Sequence, residues 1–250
     1  MKHTEKELQA IKEEVSQMWK LVLSQLEKSK QALFNKDIEL AREVASREKR
    51  VDAFELKIDS DCENYIALYS PVAVDLRLVL SLIKICSTLE RIGDFSEGIA
   101  RHVIKDDCSE IPPHVLEDLQ LEKMFDMLIS MLSDSFVALE SENTRISGKI
   151  LAKDDEIDTL YNDSVDIITK FIVENEKLKT ENKETKQSLS DLNSQHFTQK
   201  VRSGLKLYLL IRKLERIGDH CSNIVEEIVF YVDAKVLKHG YKKEKVAIHD

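Results

Sequence analysis

Four pairs of carboxylates stand four residues apart in this chain: Glu48/Asp52, Glu90/Asp94, Asp154/Asp158 and Glu215/Asp219. Residues at i and i+4 share a face of an α-helix, so each pair projects its oxygens to one side. Like charges so placed repel, by roughly a few tenths of a kcal/mol per pair. A hard cation taking oxygen ligands is the simplest compensation. Carboxylate-only ligation suits iron, manganese or magnesium, and zinc also accepts oxygen donors. The competing reading is a solvated acidic face: Asp and Glu number 46 in 250 residues, and charges usually face water. On the residues alone both readings stay open. Glu55 and Asp59 extend the Glu48/Asp52 face, whereas Tyr161 and Val165 stand at the counterpart positions, so the two sites are expected to be unequal. Glu97 and Glu226 fall near the faces of Glu90 and Glu215 and are secondary candidates.

The elements that carry these pairs are duplicated. Glu-Arg-Ile-Gly-Asp occurs at Glu90 to Asp94 and again at Glu215 to Asp219. Chance would give such a repeat on the order of a percent or a few percent of the time at ordinary residue frequencies. Met18-Trp19 matches Met124-Phe125, Ala32-Leu33 matches Ala138-Leu139, and Glu48-x-x-Val51-Asp52 matches Asp154-x-x-Ile157-Asp158, all at an offset of 106 residues, while the pentapeptides match at 125. The shift between offsets places an insertion in the second half, and the polar stretch Glu174 to Lys200 is the natural place for it.

Each half reads as three helices. Proline occurs only at Pro71, Pro112 and Pro113 and glycine six times, so breakers are scarce. Leu8, Ile11, Val15, Trp19, Val22 and Leu26 recur at the helical period. Further helices are expected near 37–68, 71–105, 113–141, 146–175 and 196–236. Ser70-Pro71 and Asp106 to Pro113 are punctuation, since proline suits a helix's first turn. Short connections make neighbouring helices antiparallel. The expected fold is all-α, a tandem pair of three-helix bundles with six long helices: 1–110, then 111–240 with its insertion at about 174–200, then a polar tail at 241–250.

Gly93 and Gly218 fall inside the third helices, where glycine costs roughly 1 kcal/mol relative to alanine; the readings are a packing notch or close approach of a ligand cluster. Arg91 and Arg216 read as surface ion pairs by default, with orientation of the carboxylates or contact with a partner as the alternatives. His102 and His220 are turned away from the acidic faces by the helical period and read as bystanders.

Composition excludes several functions. A formal charge of −9 opposes general nucleic-acid binding, which needs a cationic footprint. The start, Met1 to Glu7, lacks the apolar run of a signal peptide, and no apolar window reaches the length of a membrane span. Cys62, Cys86, Cys108 and Cys221 are scattered without a Cys-x-x-Cys pair and are expected to be reduced in a cytosolic protein. None of the seven histidines follows a glutamate by three positions, against a ferritin-like di-iron site. No local signature supports a catalytic nucleophile or a Gly-rich phosphate loop.

Pro71-Val-Ala-Val-Asp-Leu-Arg77, Leu89-Glu-Arg-Ile-Gly-Asp94 and Leu214-Glu-Arg-Ile-Gly-Asp-His220, with the duplication between them, resemble the PhoU family over nearly the whole chain. Its members are accessory proteins of the bacterial high-affinity phosphate transporter. The resemblance implies tandem three-helix bundles and a non-catalytic, cytoplasmic negative regulator of phosphate uptake and phosphate-starvation genes. Such a protein couples components of the phosphate ABC transporter to a phosphate-sensing histidine kinase, and a homodimer is expected. It also implies multinuclear metal clusters on Glu/Asp-x-x-x-Asp motifs, here Glu48, Asp52, Glu90, Asp94, Asp154, Asp158, Glu215 and Asp219. The alternatives are a metal-free helical adaptor, a carboxylate-bridged metal enzyme and a metal-storage protein. The second half lacks a counterpart of Pro71 to Arg77: Arg202 meets Arg77 at the repeat offset, but Phe197 to Val201 differ.

Overall fold

A computed structural model describes residues 3–105, 111–173 and 188–237. Among the described residues there are eight α-helices and no strand: α1 (His3–Asn35), α2 (Ile38–Ser46), α3 (Glu48–Tyr69), α4 (Ala73–Ile104), α5 (Pro113–Asp118), α6 (Leu121–Glu140), α7 (Ser147–Val173) and α8 (Ser188–Asp233). Six of them are long, three in each half. The all-α, two-unit reading therefore holds.

Two expected helices are each broken once. The helix at 37–68 divides at Arg47, whose N–H donates to Val44 three residues back. The break lets the two pieces face different neighbours. Ala41 and Val44 of α2 pack with Ala32, Ala100 and Val103 in a small cluster, while Val51, Ile58 and Cys62 of α3 enter the main core. Asp37 caps α2 by accepting from the Leu40 N–H at 2.9 Å, and Glu43 accepts from Lys28 at 2.7 Å and from Arg47. The helix expected at 113–141 divides at Gln120, which is left-handed (φ 50°, ψ 36°). That turn sends Leu119 and Leu121 on either side of it into the core. At the other end of the second unit, α8 begins eight residues before the expected 196, so the last part of the polar insertion extends this helix. The remainder of the insertion, the segment 106–110 with Cys108, and the polar tail lie outside the described residues.

The two units are not separate beads. Nearly all the core residues of both form one cluster, centred on Trp19, Leu26, Ile85, Leu89, Phe125, Leu128, Leu214 and Ile217. Helix α1 lies on α6 and α4 lies on α8, so repeat counterparts pair with one another. Trp19, fully buried, donates its indole N–H to the Leu132 carbonyl at 3.0 Å. Early α4 meets late α8: Arg77 Nε donates to the Tyr231 carbonyl at 3.3 Å, Ser81 Oγ to the Glu227 carbonyl at 3.2 Å, and Lys84 Nζ pairs with Glu227 at 2.9 Å. The helices therefore run antiparallel. Phe95 and His220, counterparts at the 125-residue offset, stack with ring centroids 5.6 Å apart. The contact lies beside both pentapeptides, since Phe95 follows Asp94 and His220 follows Asp219.

A shared core predicts shared unfolding. Trp19→Ala should destabilise the chain by about 3–5 kcal/mol, and Trp19→Phe, which keeps a large ring but loses the indole hydrogen bond, by about 1 kcal/mol. Both should show a single transition in urea by circular dichroism. Two separate transitions, with only the first half affected, would show that the halves are energetically independent.

Candidate metal centre

The second-half carboxylates meet where α7 and α8 run side by side. One oxygen from each of Asp154, Asp158 and Asp219 lies within 4.8 Å of the others. Asp154 and Asp158 are one turn apart on α7, and Asp219 comes from α8. Asp154 is 1% exposed and its Oδ2 accepts from Ser222 Oγ at 2.8 Å, which fixes the carboxylate. A Cβ at Gly218 would stand 2.8 Å from Asp154 Oδ1. The missing side chain is what lets α8 close onto this carboxylate. Glu215 shares the Asp219 face but is not among the three whose oxygens converge. Burial, then Asp219, holds its carboxyl above the usual glutamate range, with Arg216 opposing and Asp158 adding. Arg216 reaches Glu215 at 3.8 Å and Asp219 at 3.9 Å, an exposed ion pair of the ordinary kind.

The first-half carboxylates share a groove between α3 and α4 without converging as closely. Burial raises Glu90 from 4.5 to about 7, and Asp94, Glu55 and Asp52 push it the same way. Burial, then Asp52 and Glu97, raises Asp94. Glu48 is raised by burial, then by Asp52, Glu97 and Asp94. Each of the four residues Glu48, Asp52, Glu90 and Asp94 thus lies in the field of others on the facing helix. Glu55 and Asp59 continue the groove and are themselves raised, chiefly by burial. Arg91 tempers Glu90 and Glu55, and Arg101 pairs with Glu97 at 2.6 Å. Among the described residues, only the Asp154–Asp158–Asp219 group brings three donor atoms within 4.8 Å. At the first of the four positions the halves differ in length, Glu48 against Asp154, whereas Glu90 and Glu215 are the same residue.

The glycines divide. Gly93 faces Val51, whose Cγ1 is 3.3 Å from the position of a Cβ, with the buried Gln25 amide oxygen at 3.5 Å, and is a packing notch. Gly218 faces a carboxylate. Neither His102 nor His220 belongs to the converging group, and His220 is turned onto Phe95, where burial, with Arg91 beside it, holds it below the usual histidine range. Burial raises the Cys62 thiol to about 12 and pushes Cys86 and Cys221 up as well, and none of the three belongs to the converging group. The available donors are hard oxygens, and with the cradle at Gly218 they fit a hard cation. Sequence reasoning missed Ser222, three residues past Asp219 and on its face. It also missed Tyr208, whose hydroxyl meets that of Tyr161 at 2.5 Å.

Three measurements follow. Gly218→Ala should displace Asp154 and weaken any second-half metal site about tenfold or more, read by manganese(II) titration. Gly93→Ala needs only a few tenths of an ångström of movement, gains roughly 1 kcal/mol of helix propensity, and should leave both metal binding and thermal stability near those of the parent. For pH, Glu90 is raised in the folded state, so the metal-free fold holds its proton more tightly than the unfolded chain does. Its contribution to stability is then fully present at or below the ordinary 4.5 and is lost as pH rises through about 7. Urea titrations in chelator at pH 4.5 and 7.5 should show this loss, and Glu90→Gln should reduce it.

The comparisons with known proteins agree with this architecture. The PhoU domain model matches residues 15–103 and 121–228. The chain is 30% identical over 240 residues to the phosphate-specific transport system accessory protein PhoU homolog of Aquifex aeolicus, covering 96% of this chain and 97% of that one. It is 29% identical over 233 residues to the phosphate-specific transport system accessory protein PhoU of Escherichia coli, covering 93% and 86%. Among solved structures, the phosphate transport system regulatory protein PhoU from Streptococcus pneumoniae superimposes with a TM-score of 0.75 at 26% identity, covering 94% of this chain and all of that one. Two matched segments, one per half and together spanning most of the chain, show that it belongs to the PhoU family.

Proposed function

We propose that this protein is a cytoplasmic, non-catalytic regulator that restrains phosphate uptake and represses phosphate-starvation genes, by bridging components of a phosphate ABC transporter and a phosphate-sensing histidine kinase. The observation that carries the reading is family membership over both halves, with relatives named for the phosphate-specific transport system. Two further features support it. No helix among the described residues is long and apolar enough to cross a membrane, so attachment to a transporter would be through protein contact. The two units, here taken as 1–110 and 111–240, are locked by one core, so they would present two related surfaces at a fixed spacing, as a bridge between partners requires.

The carboxylate faces are read as metal sites, with Glu48, Asp52, Glu90 and Asp94 serving the first half and Asp154, Asp158, Glu215 and Asp219 the second. A bound hard cation would neutralise charges that otherwise repel across each groove. The chain's own contribution is to hold those carboxylates together: Ser222 fixes Asp154, Gly218 lets α8 approach, and Arg91 and Arg216 limit the excess of negative charge. The spread of the first-half carboxylates favours a second reading, a metal-free adaptor whose acidic face docks on basic partners.

Metal analysis of the purified chain separates the two. Glu90→Ala with Asp94→Ala should remove the first-half metal and leave the second half largely occupied. Deleting the gene should raise phosphate-starvation gene expression and intracellular phosphate in phosphate-replete medium. Unchanged expression, with no transporter or kinase component copurifying, would rule out the regulatory role.

A further inference from the structure

The two pentapeptide glycines open equivalent notches, and a buried oxygen stands at each. Where a Cβ would stand at Gly218 the nearest atom is Asp154 Oδ1, at 2.8 Å, and Asp154 belongs to the converging group. Beside the same point at Gly93 the polar atom is Gln25 Oε1, at 3.5 Å, with the Val51 methyls at 3.3 and 3.7 Å. The two oxygens come from different helices, α7 in the second half and α1 in the first. Gln25 is 0% exposed, and among the described residues neither its amide oxygen nor its amide nitrogen has a hydrogen-bond partner. A buried amide left in that state costs stability that an apolar side chain of similar length would not. The repeat supplies such a side chain: at the 106-residue offset Gln25 meets Met131, equally buried. The amide stands in the half whose notch receives no carboxylate. Asp52 and Asp94 are the counterparts of Asp158 and Asp219, whose oxygens lie within 4.8 Å of one on Asp154. By the repeat, an oxygen at the Gly93 notch stands to Asp52 and Asp94 as Asp154 stands to that pair.

We propose that Gln25 is a ligand of the first-half site, its amide oxygen taking at the Gly93 notch the place that Asp154 takes at Gly218, beside Asp52 and Asp94. The proposal rests on the reading of the carboxylate sets as metal sites. An amide oxygen is a hard, neutral donor of the kind that oxygen-binding divalent cations accept. The first site is then held by three helices, α1 through Gln25, α3 through Asp52 and α4 through Asp94, and carries one negative charge fewer than a set with a carboxylate at the notch. Helix α1 is also the one that reaches the other half through Trp19 and the Leu132 carbonyl. A Cβ at Gly93 would meet the amide oxygen at ordinary contact distance, so Gly93→Ala leaves the amide in place.

The test uses the full chain carrying Asp154→Asn and Asp158→Asn, to confine binding to the first half, titrated with manganese(II) and separately with magnesium. Bound manganese is counted after gel filtration. Gln25→Met, which installs the residue of the other half, should raise the melting temperature in chelator and lower manganese(II) affinity about tenfold or more. In a chain carrying Glu90→Ala and Asp94→Ala instead, where the second half alone binds, Gln25→Met should leave affinity unchanged. The Gln25 side-chain amide signal, followed by nuclear magnetic resonance in a chain labelled on its glutamine nitrogens, should shift as magnesium saturates the site. If Gln25→Met fails to fold, that signal alone decides. A Gln25→Met chain that binds manganese(II) as tightly as its parent, or an amide signal that stays in place as the site fills, marks Gln25 as a strained core amide and overturns the proposal while leaving the carboxylate sites standing. Metal bound by the unsubstituted chain but not by the Asp154→Asn, Asp158→Asn chain overturns it too, since the first half is then empty. Failure of both chains to bind either metal overturns the metal reading, and the Gln25 proposal with it.

Discussion

The antiparallel packing of α4 on α8 is the constraint from which the rest of the molecule follows. Once Ser81 and Lys84 are tied to Glu227, Arg77 to Tyr231, and Phe95 to His220, one face of each helix is committed to the seam. The apolar residues beside it, Leu82, Ile85, Leu89 and Ile92 on α4 and Leu210, Leu214 and Ile217 on α8, are buried in the common core. What remains on each helix is a polar strip, and that strip carries Glu90 and Asp94 on α4, Glu215 and Asp219 on α8. Helices α3 and α7 cover these strips from either side and bring their own carboxylates. The acidic sets therefore lie one between α3 and α4 and one between α7 and α8, and each pentapeptide copy serves both the α4–α8 seam and the acidic set of its own half.

Much of this was legible in the sequence because the repeat encodes it twice. The acidic pairs at i, i+4, the two offsets and the scarcity of proline lead directly to paired helical units. The breaks at Arg47 and Gln120 were not legible. Neither residue is a helix breaker by type, and each interruption is set by where the flanking apolar residues find partners: Ala41 and Val44 against Ala100, Leu119 and Leu121 in the main core. The fusion of the two cores was equally hidden. Periodicity reports that a helix has an apolar face, not which helix covers it. Trp19 is the example, since its pattern marks it as buried while its hydrogen-bond partner, Leu132, belongs to the other half.

The site was legible by position and not by shape. Sequence placed four equivalent pairs, and the folded chain treats them unequally. Asp154 stands where the first half has Glu48, one methylene shorter, and it is buried and anchored by Ser222. That shortening is matched by Gly218, because a carboxylate so close to α8 leaves no room for a side chain there. In the first half the same glycine position, Gly93, meets Val51 and the Gln25 amide instead of a carboxylate. The repeat preserves the charge pattern while the side-chain length and the facing residue decide how tightly the oxygens gather.

Charge sets the behaviour of these carboxylate faces. Carboxylates crowded on facing helices oppose the contact that places them there; at Glu90 burial, and after it Asp94, Glu55 and Asp52, raise the carboxyl to about 7. Protons and hard cations compete for these oxygens, and either one relieves the repulsion. The α4–α8 seam is made partly of ion pairs such as Lys84–Glu227, and Arg91 lies in the fields of both Glu90 and His220. Neutralising one groove then changes the electrostatic balance at the junction with the other half. A fold in which repeat counterparts share one core but carry unequal carboxylate sets thus ties the charge of each half to packing that both halves share.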